Sequence, residues 1–137
     1  MTADAPGNEM PGPLTGLRVL ELTAEHAQFC GKLMADLGAD VIKIEPPGGQ
    51  ETRNIGPFLD DQPGPERSLH FWHYNTSKRG VTLDITKPEG QEVFRKLAAT
   101  AGLVLESFPA GYLPGLGLGY ESLSTDNPSL IMCSVSP

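Results

Sequence analysis

Apolar residues in the first third of the chain recur first at strand-like and then at helical spacing. Residues 17–22 are strand-like, with Val19, Leu20 and Leu22 apolar, and residues 41–45 predict a short buried strand. Between them, the apolar spacing predicts a helix that packs through Cys30, Leu33, Met34 and Leu37. Gly38 follows where a left-handed helix C-cap is expected.

The middle of the chain contains a proline- and glycine-rich stretch, residues 46–68, which predicts a long surface loop. A short helical turn is predicted over residues 69–75 and a strand over residues 81–85, where apolar and polar residues alternate. Thr86 and Glu89 have the spacing of a capping box, so a helix is predicted to begin there. Its inner face is expected to carry Val93, Phe94, Leu97 and Ala98.

Two further strands are predicted over residues 103–105 and 130–135, with short helical pieces around Tyr112 and Tyr120. Strands that alternate with helices indicate an α/β fold, with a mostly parallel sheet and helices on its faces. Such sheets bind ligands beyond the carboxyl ends of the strands, near the point where the strand order reverses. The segments predicted to meet there are residues 23–28, 45–49, 106–108 and 134–137.

Length and charge narrow the classes of protein. The 137 residues suit one domain, with residues 1–13 as a flexible arm and residues 14–137 as the folded part. The formal net charge of −7 argues against nucleic acid or a membrane as the main partner. The sequence shows neither a bilayer-spanning apolar run nor the layout of a signal peptide, so a cytoplasmic location is the default expectation.

Two common kinds of site find no support in the residue pattern. The segment after Leu22 lacks the G-x-G-x-x-G motif, which argues against a plain dinucleotide site. The two cysteines, Cys30 and Cys133, have no spacing typical of a disulfide framework or a zinc site. Both cysteines are therefore expected to pack as small core residues.

An aromatic cluster and two strand-end acids each allow more than one interpretation. The cluster is expected to pack in the core rather than bind a metal, with adenine stacking by Trp72 as an alternative. Glu45 and Asp84 end strands at the edge of the sheet where a ligand is predicted to bind. They could form an acid–base pair, but structural hydrogen-bond acceptors are the preferred interpretation. The members of the cluster are His70, Trp72, His73 and Tyr74.

Several sequence blocks occur in an order and spacing that resemble the family III CoA-transferases. The resemblance extends from Leu14 to Pro137, and it covers only the N-terminal portion of that family's members. The blocks are GLRVLELT, LGADVIKIEPPGG, NTSKRGVTLD, KPEGQEVFRKL, LVLESFPAG, LGLGYESL and NPSLIMCSVS.

The resemblance implies a Rossmann-like core and interlinked dimers that take CoA thioesters as substrates, without a permanently bound cofactor or a metal. In the family, an aspartate attacks the thioester to form a covalent intermediate. That aspartate lies beyond the last matched block, so the resemblance assigns no catalytic residue to this chain.

The same resemblance implies a set of CoA-binding positions. The loop after the first strand is expected near the thioester, and the adjacent cations Lys78 and Arg79 near phosphate. Gln28 and Ser107 depart from the family's usual residues, and Pro46 and Gly115 replace arginines that some relatives carry. The implied positions are His26, Ala27, Gln28, Arg53, Lys78, Arg79, Ser107 and Phe108.

The sequence is compatible with three functions. The chain is expected to be part of a CoA-transferase that works as a homodimer or with a complementing C-terminal segment. Acyl-CoA and carboxylic acids would be its substrates. The alternatives are a racemase or isomerase portion of the same family, and a non-catalytic remnant.

Overall fold

The computed structural model describes residues 11–135, in which strands alternate with helices as predicted. Most of the predicted N-terminal arm, residues 1–10, lies outside the described residues. Two short 3-10 turns, Glu51–Asn54 and Leu59–Asp61, interrupt the long loop. The main elements are β1 (Arg18–Leu22), α1 (Gln28–Asp36), β2 (Asp40–Glu45), α2 (Leu69–Asn75), β3 (Arg79–Thr82), α3 (Pro88–Ala98), β4 (Leu103–Glu106), α4 (Tyr112–Gly115), α5 (Tyr120–Asp126) and β5 (Ile131–Ser134).

The five strands form one sheet in the order β3-β2-β1-β4-β5. Every neighbouring pair is parallel, and β1 is in register with β2 through Val19 and Val41 and with β4 through Val19 and Leu103. The chain therefore extends the sheet to one side of β1 and then crosses over to its other side. This arrangement confirms the predicted α/β fold, with helices flanking a parallel sheet.

The alternation of side chains along each strand divides the core between the two faces of the sheet. On one face, Leu20, Ile42 and Val104 pack with Phe94 of α3. On the other face, Val19, Val41, Leu103 and Leu105 pack against Ala35 of α1 and neighbouring residues. Glu21 and Lys43 lie two residues after Val19 and Val41 and therefore on the same face as the second set, where they place two charges beneath α1.

The prediction of which α1 residues face the core is partly wrong. Cys30 and Met34 are half-buried as expected, but Leu33 and Leu37 are 47% and 46% exposed. The helix instead buries Gln28, Gly31 and Ala35. The physical reason is that charged side chains lie beneath this part of the helix, and only a residue as small as Gly31 fits over them.

The third strand and the following helix differ from prediction in their boundaries. β3 spans Arg79–Thr82 as an exposed edge strand, because only these residues pair with β2. The Thr86 hydroxyl donates to Asp84 Oδ1 at 2.5 Å, so it does not cap α3. The predicted capping box is therefore wrong, and α3 begins at Pro88 after Lys87 without a side-chain cap.

Three other packing predictions also need correction, and the first is Val93 of α3, which is 44% exposed rather than on the inner face of the helix. Cys133 is exposed because β5 is the other edge of the described sheet, whereas Cys30 is half-buried. In the aromatic cluster, Trp72 is 44% exposed and His73 is exposed. Phe71 is the residue of α2 that enters the core.

The remaining boundaries agree closely with prediction. α2 spans the expected residues, and Ser68 caps it by accepting a hydrogen bond from Phe71 N at 3.0 Å. Gly38 adopts a φ of 99°, as a left-handed C-cap requires. The backbone of Gly12 packs so tightly on this turn that an added Cβ would collide with the Leu37 carbonyl.

Candidate functional site

The carboxyl ends of β1 and β4 lie side by side at the point where the chain reverses its direction across the sheet. Ala24 N donates to Ser107 Oγ at 2.8 Å, and Ser107 N donates to the Leu22 carbonyl at 3.4 Å. The loops after the two strands therefore meet, as the sequence predicted. In doubly wound sheets this is the place where ligands bind.

A cleft of about 620 Å³ opens at this edge, and we call it the strand-edge cleft. Its volume lies within the range of small-molecule sites, roughly 300–1,000 Å³. Apolar side chains such as Leu22, Ile44 and Leu83 form its floor, and Phe108 and Tyr112 form one wall. The cleft is lined by Leu22, Ala24, Ile44, Glu45, Pro46, Gly49, Gln50, Glu51, Leu83, Asp84, Ile85, Thr86, Phe108, Pro109 and Tyr112.

Buried Glu106 holds the aromatic wall of this cleft in position. Its Oε2 accepts a hydrogen bond from Phe108 N at 2.6 Å. The Phe108 ring then packs on Tyr112, with the ring centroids 4.5 Å apart and the planes inclined by 30°. A packed aromatic pair of this kind presents an apolar surface to the cleft.

The acids at the strand-edge cleft serve structural roles, as preferred on sequence grounds. Asp84 accepts hydrogen bonds from Thr86 N and its hydroxyl, and these bonds lower the pKa of Asp84. Burial alone would raise the pKa of Glu45, but hydrogen bonds from Arg53 and Gln50 N hold it below its ordinary value. Both groups are therefore committed to protein donors.

Arg53 anchors the loop beside the strand-edge cleft. Its Nε and Nη2 donate to the two carboxylate oxygens of Glu45 at 2.7 and 2.8 Å, and Nη1 donates to Glu66. The guanidinium also lies 3.9 Å from the centre of the Phe71 ring. Hydrogen bonding to Glu45 raises the pKa of Arg53, which remains charged. Its donors are thus engaged by the protein in this structure.

Lys78 lies in a buried ion cluster with Glu21 and Lys43. Its ammonium donates to Glu21 Oε1 at 3.0 Å, to the Gln28 carbonyl at 2.8 Å and to Asn75 Oδ1 at 2.9 Å. These three bonds use all three N–H donors of the group. The Lys78 side chain is only 1% exposed, and burial lowers its pKa to about 8.

Arg79 lies away from the strand-edge cleft. It pairs with Ile42 at the start of β3, and its guanidinium donates to Asp40 at the amino end of β2. Asp40 also accepts a hydrogen bond from Arg18. Lys78 and Arg79 are therefore adjacent in sequence but point into different environments, one buried and one exposed.

A second cleft, of about 540 Å³, lies between the start of α1 and helix α2, and we call it the histidine cleft. His26 and Gln28 line it, whereas Ala27 is buried beside them. Ala24 lines the strand-edge cleft, and its neighbour Glu25 lines the histidine cleft, so a single loop separates the two clefts. The lining residues are Glu25, His26, Gln28, Phe29, His70, His73 and Tyr74.

The structure thus distributes the eight predicted site residues over several places. Phe108 lines the strand-edge cleft, whereas Ser107 only binds the loop beside it through Ala24 N. His26 and Gln28 meet at the histidine cleft. Sequence reasoning missed Glu21, Asn75 and the hydrogen bond from Gln28 to His70. The one available signal was a charged residue, Glu21, inside an apolar strand.

Two further features bear on the kind of site. Among residues 11–135, no group of three or more His, Cys, Asp or Glu side chains is placed to hold a metal ion. In the same part of the chain, no helix combines the length and apolar character that crossing a membrane requires.

A doubly wound parallel sheet with a ligand-sized cleft at its switch point defines the class as an α/β fold, in which ligand sites are typically found at the carboxyl edge of the strands. The chain belongs to CoA-transferase family III, because the model of that family matches residues 14–137.

Curated relatives and solved structures agree with this assignment. Succinyl-CoA:(R)-benzylsuccinate CoA-transferase subunit BbsE of Thauera aromatica is 47% identical over 120 residues, which cover 88% of this chain and 29% of the relative. Succinate–glutarate CoA-transferase of Agrobacterium fabrum is 44% identical, over 90% of this chain and 32% of the relative. The crystal structure of Rv3272 from Mycobacterium tuberculosis superimposes with a TM-score of 0.83 at 38% identity, covering 92% of this chain and 35% of that one. The chain therefore spans about a third of the length of the relatives it matches.

Proposed function

We propose that this chain forms the N-terminal, CoA-binding part of a CoA-transferase that moves CoA between an acyl-CoA thioester and a carboxylic acid. The observation that carries the proposal is the strand-edge cleft at the switch point of a family III chain. The names of two relatives pair succinyl-CoA or succinate with a second acid, which supports carboxylic acids as the acceptor class.

The strand-edge cleft suits an uncharged part of CoA. No lysine or arginine is among its lining residues, all of which lie in the described part of the chain. The apolar floor and the Phe108–Tyr112 wall instead favour the pantetheine arm or the adenine ring. Ser107 contributes by holding the loop after β1 against the loop after β4.

Direct phosphate contacts by Arg53, Lys78 and Arg79 stay predictions within this proposal. The donors of Arg53 and Lys78 are engaged by protein acceptors, so either side chain must release a partner to bind phosphate. Arg79 retains greater exposure, but it lies near the amino end of β2. His26, Ala27 and Gln28 are proposed to border the reacting thioester.

The proposed chemistry is covalent catalysis by an aspartate outside the residues assigned here. Its carboxylate attacks the thioester carbonyl, CoA thiolate leaves, and a mixed anhydride with the enzyme forms. The thiolate then attacks the aspartyl carbonyl, which releases the donor acid and leaves CoA as a thioester on the aspartate. The acceptor carboxylate displaces CoA to form a second anhydride, and the thiolate attacks its acyl carbonyl to give the new acyl-CoA and the free aspartate. A homodimer or a complementing C-terminal segment would complete the site. We place this reaction in the cytoplasm, with CoA thioesters as substrates rather than as a permanently bound cofactor.

Calorimetric titration of the folded chain with CoA and acetyl-CoA tests the proposal. We expect saturable binding that weakens by about tenfold in Phe108→Ala, because an aromatic contact is lost. Phe58→Ala is the matched control, since Phe58 is a half-buried phenylalanine like Phe108 but lines neither of the two clefts. The absence of CoA binding by folded protein, or equal binding by both variants, would contradict the proposal.

Activity with the complementing segment separates transfer from isomerisation. Transfer of CoA from succinyl-CoA to a second acid is the expected result. Exchange of the α-proton of an acyl-CoA without CoA transfer would instead identify the racemase branch of the family.

A further inference from the structure

The charge of Lys78 determines how the side chain of Asn75 is oriented. An ammonium group only donates hydrogen bonds, so the Asn75 oxygen must face Lys78, at 2.9 Å. The Asn75 amide nitrogen then donates to the Phe71 carbonyl at 2.9 Å and to Gln28 Oε1 at 3.2 Å. The buried cation therefore decides which end of a neutral amide points toward Gln28.

The orientation of the Asn75 amide fixes the orientation of the Gln28 amide, which in turn fixes the tautomer of His70. Because Gln28 Oε1 accepts from Asn75, the opposite end of the amide, Nε2, faces His70 Nε2 at 3.0 Å. An amide nitrogen is a donor only, so His70 Nε2 must be the acceptor. The neutral His70 ring consequently carries its proton on Nδ1.

The Nδ1–H group of His70 has no hydrogen-bond acceptor among the described residues, although His70 lines the histidine cleft. The Tyr74 ring packs on the rings of His70 and His73, with both centroid distances at 4.8 Å. His26 lines the same cleft. The cleft thus presents a fixed donor beside two further imidazoles.

We propose that the histidine cleft binds the carboxylate of the acid substrate, with His70 Nδ1–H as a hydrogen-bond donor to it. Gln28, Asn75 and Lys78 act as positioning residues, because they hold His70 in the donating tautomer. Within residues 11–135, no lysine or arginine lines the cleft, and Glu25 does, so a carboxylate fits better than a more highly charged phosphate.

The choice of a carboxylic acid as the ligand rests on the proposed function, because CoA transfer requires an acid to approach the thioester. The position of the cleft agrees with that role. Ala24 lines the strand-edge cleft and Glu25 lines the histidine cleft, so the acid and the CoA would lie on either side of one loop.

Nitrogen-15 NMR of the full chain tests the tautomer directly. The chain has three histidines, so His26→Gln and His73→Gln suffice to assign the His70 signals. We expect a protonated Nδ1 in the unmodified chain and a protonated Nε2 in Gln28→Glu, whose carboxylate can only accept. A protonated Nε2 in the unmodified chain would overturn the assignment without any variant.

Titration with succinate tests the binding role. We expect succinate to shift the His70 signals, and His70→Asn to retain affinity within about threefold, because its amide nitrogen takes roughly the place of Nδ1. In His70→Gln the amide nitrogen takes the place of Nε2, and we expect affinity to fall at least about tenfold. Glu25→Gln should tighten binding, since it removes a like charge from the cleft.

The remaining outcomes separate this inference from the proposed function. If CoA binds but succinate leaves His70 unchanged, or if sulfate at equal ionic strength gives an equal response, the carboxylate site is wrong and the CoA-binding proposal stands. If succinate shifts the His70 signals while CoA does not bind, the carboxylate site in the histidine cleft is supported and the proposed function fails.

Discussion

Lys78 and Glu21 form an ion pair in the interior, with Lys78 Nζ 2.8 Å from Glu21 Oε2 and both side chains at most 1% exposed. Lys43 contacts the same carboxylate at 3.1 Å, so two cations share one anion beneath α1. Removing such charges from water costs several kcal/mol per ion, which hydrogen bonds must offset. Thr23 and Asn75 provide some of these bonds.

The first prediction concerns the helix above this cluster. Gly31→Ala should lower the free energy of unfolding by about 2 kcal/mol or more, because the new Cβ would collide with the Glu21 carboxylate and come within 3.3 Å of Lys78 Nζ. Helix propensity alone would favour alanine by up to about 1 kcal/mol. Urea unfolding measures the difference.

Gly115→Ala is the matched control for that substitution. Gly115 also lies in a helix, but no atom lies within 4 Å of an added Cβ. This variant should be neutral or slightly stabilised. Equal stability of the two alanine variants would show that the cluster accommodates a methyl group above it.

A second prediction concerns the pH dependence of stability. The pKa of Lys78 is lowered from 10.5 to about 8, so between these values the unfolded chain binds more protons than the folded one. Stability from this group should therefore rise with pH in that range, with a slope of at most about 1.4 kcal/mol per pH unit. Lys78→Met should lose this rise.

Urea unfolding from pH 7 to pH 10 would measure the difference between the two curves. Lys96→Met serves as the control, because Lys96 is 72% exposed and pairs with Glu92 on the surface. Parallel curves for the original chain and Lys78→Met would mean that Lys78 titrates normally.

A third prediction concerns the loop beside the strand-edge cleft. Arg53→Met leaves the buried Glu45 carboxylate without its ion partner and should lower stability by about 3 kcal/mol at pH 7. Because the pKa of Glu45 is lowered in the folded chain, its contribution is lost as the pH falls. The difference between the two proteins should therefore shrink below about pH 4.5, the ordinary pKa of the group.

The matched control for Arg53→Met is Arg67→Met. Arg67 belongs to the same loop but pairs with Asp60, which is 72% exposed. Surface pairs of this type contribute less than about 1 kcal/mol. Equal losses in the two variants, or a loss in Arg53→Met that persists at pH 3.5, would argue against the assigned role of Glu45.

A fourth prediction concerns the connection between α3 and β4. Buried Asn127 donates through Nδ2 to the carbonyls of Ala98 and Ala101, at 2.9 and 2.7 Å. Asn127→Asp keeps the shape but replaces this donor with an acceptor. We expect a loss of about 3 kcal/mol or more at pH 7, whereas Asn54→Asp on the exposed loop should change little. Thermal unfolding of both variants provides the comparison.

Much of the fold was predictable because local patterns decide it. Short apolar runs bounded by glycine and proline located β1, β2 and β4, and their alternation with helices indicated a parallel sheet. The contact between Ser107 and the loop after β1 followed from the general geometry of such sheets. These inferences depend on spacing along the chain.

The candidate site was less predictable, since it depends on residues that are distant in sequence. Gln28 was singled out for its place in a motif, but its pairing with His70 crosses 42 residues. Trp72 was expected in the core, yet α2 turns it toward solvent and buries Phe71 instead. A local pattern does not reveal which side of a short helix faces the sheet.

The order of the elements, the parallel α/β class and the family could be predicted from the residues alone, because these follow from periodicity and from blocks of residues in fixed order. The location of the charges depends instead on tertiary packing. This packing buries Lys78 and leaves its neighbour Arg79 exposed, because Lys78 meets Glu21 beneath α1 while Arg79 meets Asp40 near the start of β2. Charges adjacent in the chain acquire different roles because burial and partners depend on packing across the whole sheet.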